Sequence, residues 1–504
     1  MRTRSGAKAP DIGPRPAPAR PGPLDFPHYQ VQGGLSAAHQ HAQNLDQLFL
    51  GLEKNVSAQH VDALNITLLE ERTLDLLVPG GYLPPSTWLQ DPSLATESSD
   101  KGQDDAASNQ KARDFEHESF YERAREFLLR NDDCFDSLPG RPGARRPPPA
   151  KLCHANKFYQ NLLFMAEFWD TSKDNYETNE DGKELYTGRR YGAGHEMPSH
   201  YREDTVSAFV ELCVWPFRCN LQNPRSSVNR KLQFRKQYYP IQGITSAICR
   251  NPTDRQKARK GILEGPLVGI HCRSATTFRT ASDAKGEGKE EIISLLFEVG
   301  GALLIAQKRA REGKEEEKPW QDQFWALAGK RHLGEMAGGR QDTETNASAR
   351  REIEAMKSGV EPMDDEEMEK KDHDSDGKES KKRRIQGPKQ AYLATKPPES
   401  QWESKIEYRA IGKALGAGYD DIYLISSLNH HISLVHIRID DSYLDFITHG
   451  PEPAGFDPST QDWWILEVQR SKWFDLLDPD DRGEAMRGLW GVMRWMMRDV
   501  VGGG

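Results

Sequence analysis

Apolar residues fall into a few blocks separated by long polar stretches. Ser36 opens one helical pattern, with Leu45, Leu48, Phe49 and Leu52 on one face. Ser57 opens a second, with Val61, Leu64, Leu68 and then Leu74, Leu76 and Leu77 apolar. A serine at each start suits the free N–H groups of a first turn. Gly80-Gly81 and Pro84-Pro85 close the second pattern, so 31–90 predicts a helical hairpin. Residues 91–150 read as a linker with one helix, Phe115 to Leu129, and a Pro/Arg/Gly stretch from Pro139 to Pro149. His154 to Trp169 is apolar around most of its circumference, which predicts a buried helix. Val206 to Trp215 fits strand and helix equally and ends at Pro216. Leu267 to Cys272 reads as a short buried strand after Gly265-Pro266.

The strongest helical pattern is Glu290 to Arg311, with Ile292, Ile293, Leu295, Leu296, Val299, Leu303 and Ile305 on a wide apolar surface. Lys308, Arg309 and Arg311 lie at its C-terminal end, where the helix dipole favours cations. Asp421 to Leu428, His431 to Ile439 and Ser442 to Ile447 predict a three-stranded meander, broken at Asn429-His430 and Asp440-Asp441. A last helix follows, with Asp478 as its cap, Pro479 in its first turn and Met486, Leu489, Trp490, Met493, Met497 and Val500 on one face. Neither half can bury its apolar faces alone. The reading is therefore an α+β core of helices packed on a small antiparallel sheet. Residues 151–311 and 402–500 supply its two halves, and 312–401 is looped out.

Composition adds long polar excursions to that core. Only 36% of the 504 residues are hydrophobic and 29% are charged, with 42 Gly and 31 Pro. Mean hydropathy is −0.78. Residues 1–30 form a Pro-rich basic tail, with Arg2, Arg4, Lys8, Arg15 and Arg20 among prolines that forbid an amphipathic helix. A disordered tail is expected there, and a secretory signal is not. Glu361 to Glu379 holds ten acids and almost no aliphatic residue. Such a segment cannot offset its ordering entropy, so 312–401 is expected to be a disordered insertion. The longest apolar stretch, Ile292 to Ala306, contains Ser294 and Glu298 and is too short for a membrane span. Six cysteines without a CxxC pair predict buried thiols rather than disulfides or structural zinc.

Charge is segregated more than the net value of −9 suggests. Phe217 to Lys260 carries 11 cations against one acid, Asp254. Aromatic rings are interleaved with them, a combination that suits nucleic acid or another anionic partner. The candidates are Arg225, Arg230, Lys231, Arg235, Lys236, Tyr238 and Arg255. A solvated surface and internal pairing with the acidic run are the alternatives. Lys370-Lys371 and Lys381-Lys382-Arg383-Arg384 resemble a bipartite nuclear-import signal in an unstructured spacer. His430, His431, His436 and His449 lie near Asp440, Asp441 and Asp445. A metal set among them competes with ordinary hairpin and half-buried histidines, and no metal is assigned. Glu211 and Glu298 are carboxylates in apolar surroundings, without a known catalytic spacing. No GxGxxG after a strand, GxxxxGK[ST], HExxH or GxSxG occurs, so no cofactor is assigned.

The stretches SSLNHHISLVHIRIDDSYLDFITHG (Ser426 to Gly450), WWILEVQRSKWFDLLDP (Trp463 to Pro479) and WPFRC from Trp215 resemble an uncharacterised family of filamentous-fungal proteins. The resemblance covers about half the chain. That family has no assigned activity, so it transfers no catalytic residue. It implies a eukaryotic intracellular setting. The expectation is a nuclear or cytoplasmic interaction or scaffold protein. Its basic, aromatic surface would meet an acidic protein or nucleic acid, with no membrane involved. The alternatives are a nuclease-like or other metal-dependent enzyme, and a nucleic-acid-binding protein without a known module. An enzyme would need acids or histidines converging near the arginines.

Overall fold

The central feature of the computed structural model is a mixed sheet of eight strands with helices on both faces. The structure describes residues 17–29 (except 23), 58–91, 104–139, 147–178, 182, 184–222 and 231–240 (except 236). It also describes 244–250, 264–273, 277–279, 288–310, 411–450 (except 414 and 415) and 464–498. The first half forms α1 (Ala58–Ala63), β1 (Ile66–Leu68), α2 (Leu74–Leu77), α3 (Asp104–Phe127), α4 (Asn131–Ser137), α5 (Asn156–Trp169), β2 (Tyr176–Thr178), β3 (Glu184–Tyr186) and α6 (Ser199–Val214). There follow β4 (Cys219–Gln222), β5 (Lys231–Phe234), β6 (Gln237–Pro240), β7 (Ser246–Arg250), β8 (Glu264–Cys272) and α7 (Lys289–Arg309). The last part forms β9 (Tyr419–Leu428), β10 (His431–Asp440), α8 (Asp441–His449), β11 (Leu466–Arg470), β12 (Phe474–Asp475) and α9 (Pro479–Met496).

The strand order is β1-β11-β10-β9-β8-β7-β4, with β12 also paired to β10. β8 and β9 run parallel in the register Val268↔Tyr423 to Cys272↔Ser427. A parallel pair needs a crossover, and α7 lies between the two strands in the chain. β1 and β11 are also parallel, and the other pairings are antiparallel. Tyr423 and Ile425 of β9 enter one core with α3, α4, α5, α6 and α9. Ile422 and Leu424 enter the other with α1, α7 and α8. β9 is thus buried on both faces, which explains the unbroken apolar run Ile422 to Ile425 at its centre. The α+β class is as expected, but the sheet is larger than a small antiparallel one and is mixed.

Several local expectations change. The second helix of the hairpin expected at 31–90 stops at Ala63, because Asn65 takes a left-handed φ of 48°. Its side-chain amide donates to the Trp464 carbonyl at 2.8 Å, and the chain then joins β11 as edge strand β1. The first helix of that hairpin lies outside the described residues. The 91–150 linker holds two helices, not one. Phe120, Ala124 and Phe127 of α3, spaced by four and three, are fully buried, as are Cys134 and Phe135 of α4. The third strand of the meander is a helix, α8. The Asp440 carboxylate accepts from the Ser442 N–H at 2.8 Å, so the Asp pair caps a helix instead of turning a hairpin. Tyr443, Leu444, Phe446 and Ile447 form its buried side. α9 starts as expected, with Asp478 accepting from the N–H groups of Asp480 and Asp481.

The Pro-rich tail is not free where it is described. The buried Arg190 guanidinium, paired with Asp174, donates to the carbonyls of Ala19 (2.7 Å) and Pro18 (3.3 Å). Asp25 pairs with Arg279, and the His28 N–H donates to Glu291 at 2.8 Å. Phe26 stacks on Trp473 and meets the His431 ring edge-on. Carbonyl acceptors and two aromatic rings supplement the little aliphatic surface this segment offers, chiefly half-buried Leu24. The expected insertion, 312–401, lies outside the described residues. Among the described residues, no helix is long and apolar enough to cross a membrane.

Candidate functional site

The carboxyl ends of β8 and β9, the start of β10 and the end of β11 meet at one margin of the sheet. In sheets containing parallel strands, the carboxyl ends are where ligand crevices form. This margin carries Arg273, Ser426, Asn429, His430, His431, Arg470 and, through β12, Asp475.

Its innermost layer is ionic. Ser294 and Glu298 lie one turn apart on α7, and Glu298 is fully buried. Its carboxylate sits 2.5 Å from a nitrogen of Arg273 and 2.5 Å from one of Arg470. The Ser426 hydroxyl donates to it as well. Arg273 also donates to Ser426, to the Ser294 hydroxyl (2.5 Å) and to Tyr29 Oη (3.0 Å). Burial pushes the Glu298 carboxyl up, but Arg273 and Arg470 outweigh it and hold it down to about 2. Both oxygens are occupied, so Glu298 holds the margin together and is no free base.

The second layer is a convergence of ligand atoms. His430 and His431 straddle the end of the β9–β10 turn, and β12 brings Asp475 opposite His431. His430 Nε2 is 3.8 Å from Asp475 Oδ1, and His431 Nε2 is 3.9 Å from Oδ2. One ligand atom from each residue lies within 4.8 Å of the others. Burial pushes the imidazoles down, His430 to about 3 and His431 to about 4, so both are neutral at pH 7. Neutral rings offer lone pairs. The Nδ1 atoms of both rings are buried without a hydrogen-bond partner among the described residues. Trp169 lies against His430 and Phe26 against His431. The Asp475 side chain keeps 32% of its surface in solvent, which leaves the cluster one open side.

A third group is Arg202 of α6, which donates to the Arg273 carbonyl and, at 3.0 Å, to Asn429 Oδ1. Asn429 precedes His430 and adopts a left-handed φ of 50° at the turn.

The residues singled out in the sequence distribute differently. Arg225, Arg230, Lys236 and Arg255 lie outside the described residues, as do Lys370, Lys371, Lys381, Lys382, Arg383 and Arg384. Lys231 and Tyr238 stand on the β5–β6 hairpin. Arg235, at its turn, is packed: its N–H donates to the Ile447 carbonyl at 2.9 Å and its guanidinium lies 5.6 Å from the Phe446 ring centre. His436 contacts Asp421 at 3.0 Å and stacks on Tyr423, while His449 faces Asp445 on the surface of α8. Asp441 pairs with Lys413. Glu211 pairs with Lys157 at 2.6 Å in solvent, so the two carboxylates do not work together. All six cysteines are free. Burial pushes Cys134 and Cys272 up to about 11 and Cys219 to about 12, so these thiols stay protonated at pH 7. Sequence reasoning weighed His430 and His431 but missed Asp475, Arg202, Arg273 and Arg470. The adjacent histidine pair at a turn was the available signal. Its acidic partner comes from a two-residue strand that only tertiary pairing creates.

The segment ending at Tyr29 helps to close this margin, and its contribution is measurable. Phe26→Ala removes a half-buried ring from Trp473 and His431, with an expected cost of about 1–2 kcal/mol. Chemical denaturation reads that cost, and faster hydrogen exchange should be confined to the start of β10. A variant as stable as the wild type would mean that the segment does not dock.

No family model matches the chain, and no curated protein or solved structure was found to be similar to it.

Proposed function

We propose that the sheet margin is a divalent-metal site and that the protein is a metal-dependent enzyme working there. The observation that carries this reading is the convergence of His430, His431 and Asp475, with ligand atoms within 4.8 Å of one another. Ligands about 2.1 Å from a tetrahedral ion are roughly 3.4 Å apart, so ligand atoms lying within 4.8 Å of one another would close by up to about 1.4 Å to hold one ion. Two imidazoles and one carboxylate leave coordination positions open, the arrangement of catalytic rather than structural metal sites. A bound zinc-like ion would supply Lewis acidity and lower the pKa of a coordinated water toward 7. The chain's part is to keep two imidazoles neutral, to hold β12 against β10, and to wall the site with Trp169, Phe26 and Trp473.

The docking reading, in which the basic segment meets an acidic protein or nucleic acid, gains no comparable support. Most of its residues lie outside the described set, and Arg235 is occupied by α8.

Metal content tests the proposal. Chelator-stripped protein given zinc should retain one ion per chain, and cobalt should give the intense visible bands of tetrahedral coordination. The double variant His430→Ala/His431→Ala should retain none, and Asp475→Asn should bind at least tenfold more weakly. Wild-type protein that takes up no zinc or cobalt, or a double variant that binds like wild type, would falsify the reading.

A further inference from the structure

Six arginines are buried among the described residues: Arg190, Arg202, Arg273, Arg309, Arg482 and Arg487. Arg190 faces Asp174, Arg273 faces Glu298, Arg309 faces Asp420 and Arg487 faces Glu484. Arg482 pairs with no carboxylate among the described residues but saturates its donors on the carbonyls of Phe127, Leu129 and Leu476 and on Asn131 Oδ1. Arg202 has neither. It is 3% exposed, no carboxylate pairs with it among the described residues, and its Nε has no acceptor. The amide nitrogen of fully buried Asn429 likewise has no acceptor. Among the donors of these two side chains, Arg202 Nε and the Asn429 amide nitrogen are buried without an acceptor, and an incoming acceptor would recover the free energy that this costs. The turn does not require this side chain, because glycine serves a left-handed position as well as asparagine does.

We propose that Arg202 and Asn429 bind a small oxyanion, the charged group of the enzyme's substrate, beside His430. The inference rests on the metal reading only for what lies on the other side of that anion. Arg202 and Asn429 stand without it. The two side chains touch, because the Arg202 guanidinium donates to Asn429 Oδ1, and Asn429 immediately precedes His430 of the His430–His431–Asp475 cluster. The chemistry also closes electrically. A divalent ion on one carboxylate, next to an unpaired arginine, leaves excess positive charge that an anionic ligand neutralises. Phosphate monoesters and carboxylates share the required chemistry: acceptor oxygens and at least one negative charge.

Titration of the full chain with inorganic phosphate and with acetate tests the site, in chelator-stripped and zinc-loaded protein. At least one anion should bind at millimolar concentration or below and raise the melting temperature, and the stronger of the two identifies the class. Arg202→Gln should weaken that binding by about tenfold or more while keeping its zinc. Should that variant not fold, Asn429→Asp provides the second test, since aspartate is tolerated at a left-handed position. Its built-in carboxylate should pair with Arg202, raise the melting temperature without added anion, and abolish phosphate or acetate binding. The inference fails if neither anion binds wild type, if Arg202→Gln binds as wild type does, or if Asn429→Asp leaves both stability and anion binding unchanged. Anion binding that depends on Arg202 in a protein that takes no zinc would sink the metal reading and leave the anion site standing. Zinc uptake without anion binding would do the reverse.

Discussion

Replacing Glu298 by glutamine should lower folding stability by about 3–5 kcal/mol, read as a shift in the midpoint of urea unfolding. The substitution changes almost no volume. It leaves Arg273 and Arg470 at the sheet margin without the carboxylate that both contact at 2.5 Å. Glu298 is wholly removed from solvent, so water cannot replace the lost charge. The same residue sets an acid limit. Its carboxyl is held down to about 2 from an ordinary value of 4.5. In the window between those values the unfolded chain binds the proton more readily than the folded one does. The contribution of this carboxylate is therefore fully present above about pH 4.5 and is lost as pH falls toward 2, and it amounts to roughly 3 kcal/mol. In Glu298→Gln that part of the acid slope should be missing. A variant of wild-type stability with an unchanged acid profile would mean that the three charges do not form a buried unit.

The second large effect is expected at Asp420. This aspartate opens β9 and holds the Arg309 guanidinium at the end of α7 through two bonds of 2.7 and 3.0 Å. Arg309 also donates to the carbonyls of Pro266 and Ile411. The clasp thus joins β8, α7 and the chain entering β9, pieces that lie on either side of 311–410. Asp420→Ala should cost about 3–5 kcal/mol, because it strands a cation with no exposed surface. The double variant Arg309→Met/Asp420→Leu should recover part of that loss, since an apolar pair leaves no buried charge, while the carbonyls of Pro266 and Ile411 lose this donor. A double-mutant cycle reads the coupling. If Asp420→Ala costs under about 1 kcal/mol, β9 does not sit on α7 as described.

Local chemistry marked some elements well. Asp478 and Pro479 announce α9 because a cap and a first-turn proline act within four residues of chain. The apolar surface of α7 and the run at Leu267 to Cys272 are legible for the same reason: each is a periodicity long enough to be read alone. Ser442 to Ile447 is the instructive failure. Its residues suit a strand, and the Asp pair before it suits a hairpin turn. The outcome was decided by whether Asp440 capped forward onto Ser442. The tail from residue 17 misled for another reason. Its aliphatic residues are few, Leu24 and two alanines, and what holds it are arginines at 190 and 279, far away in the chain.

Taken alone, the chain's order of residues determined the α+β class, the main helices, the β9–β10 hairpin and the presence of two histidines at its turn. Those properties follow from backbone capping and side-chain periodicity, which operate over a few residues. Tertiary structure alone decided that β8 lies parallel to β9, that Asp475 faces His430 and His431, and that Arg202 pairs with no acid among the described residues. Each depends on which distant segment happens to pack alongside, and whether a buried charge finds a partner is settled only when the low-dielectric interior closes around it.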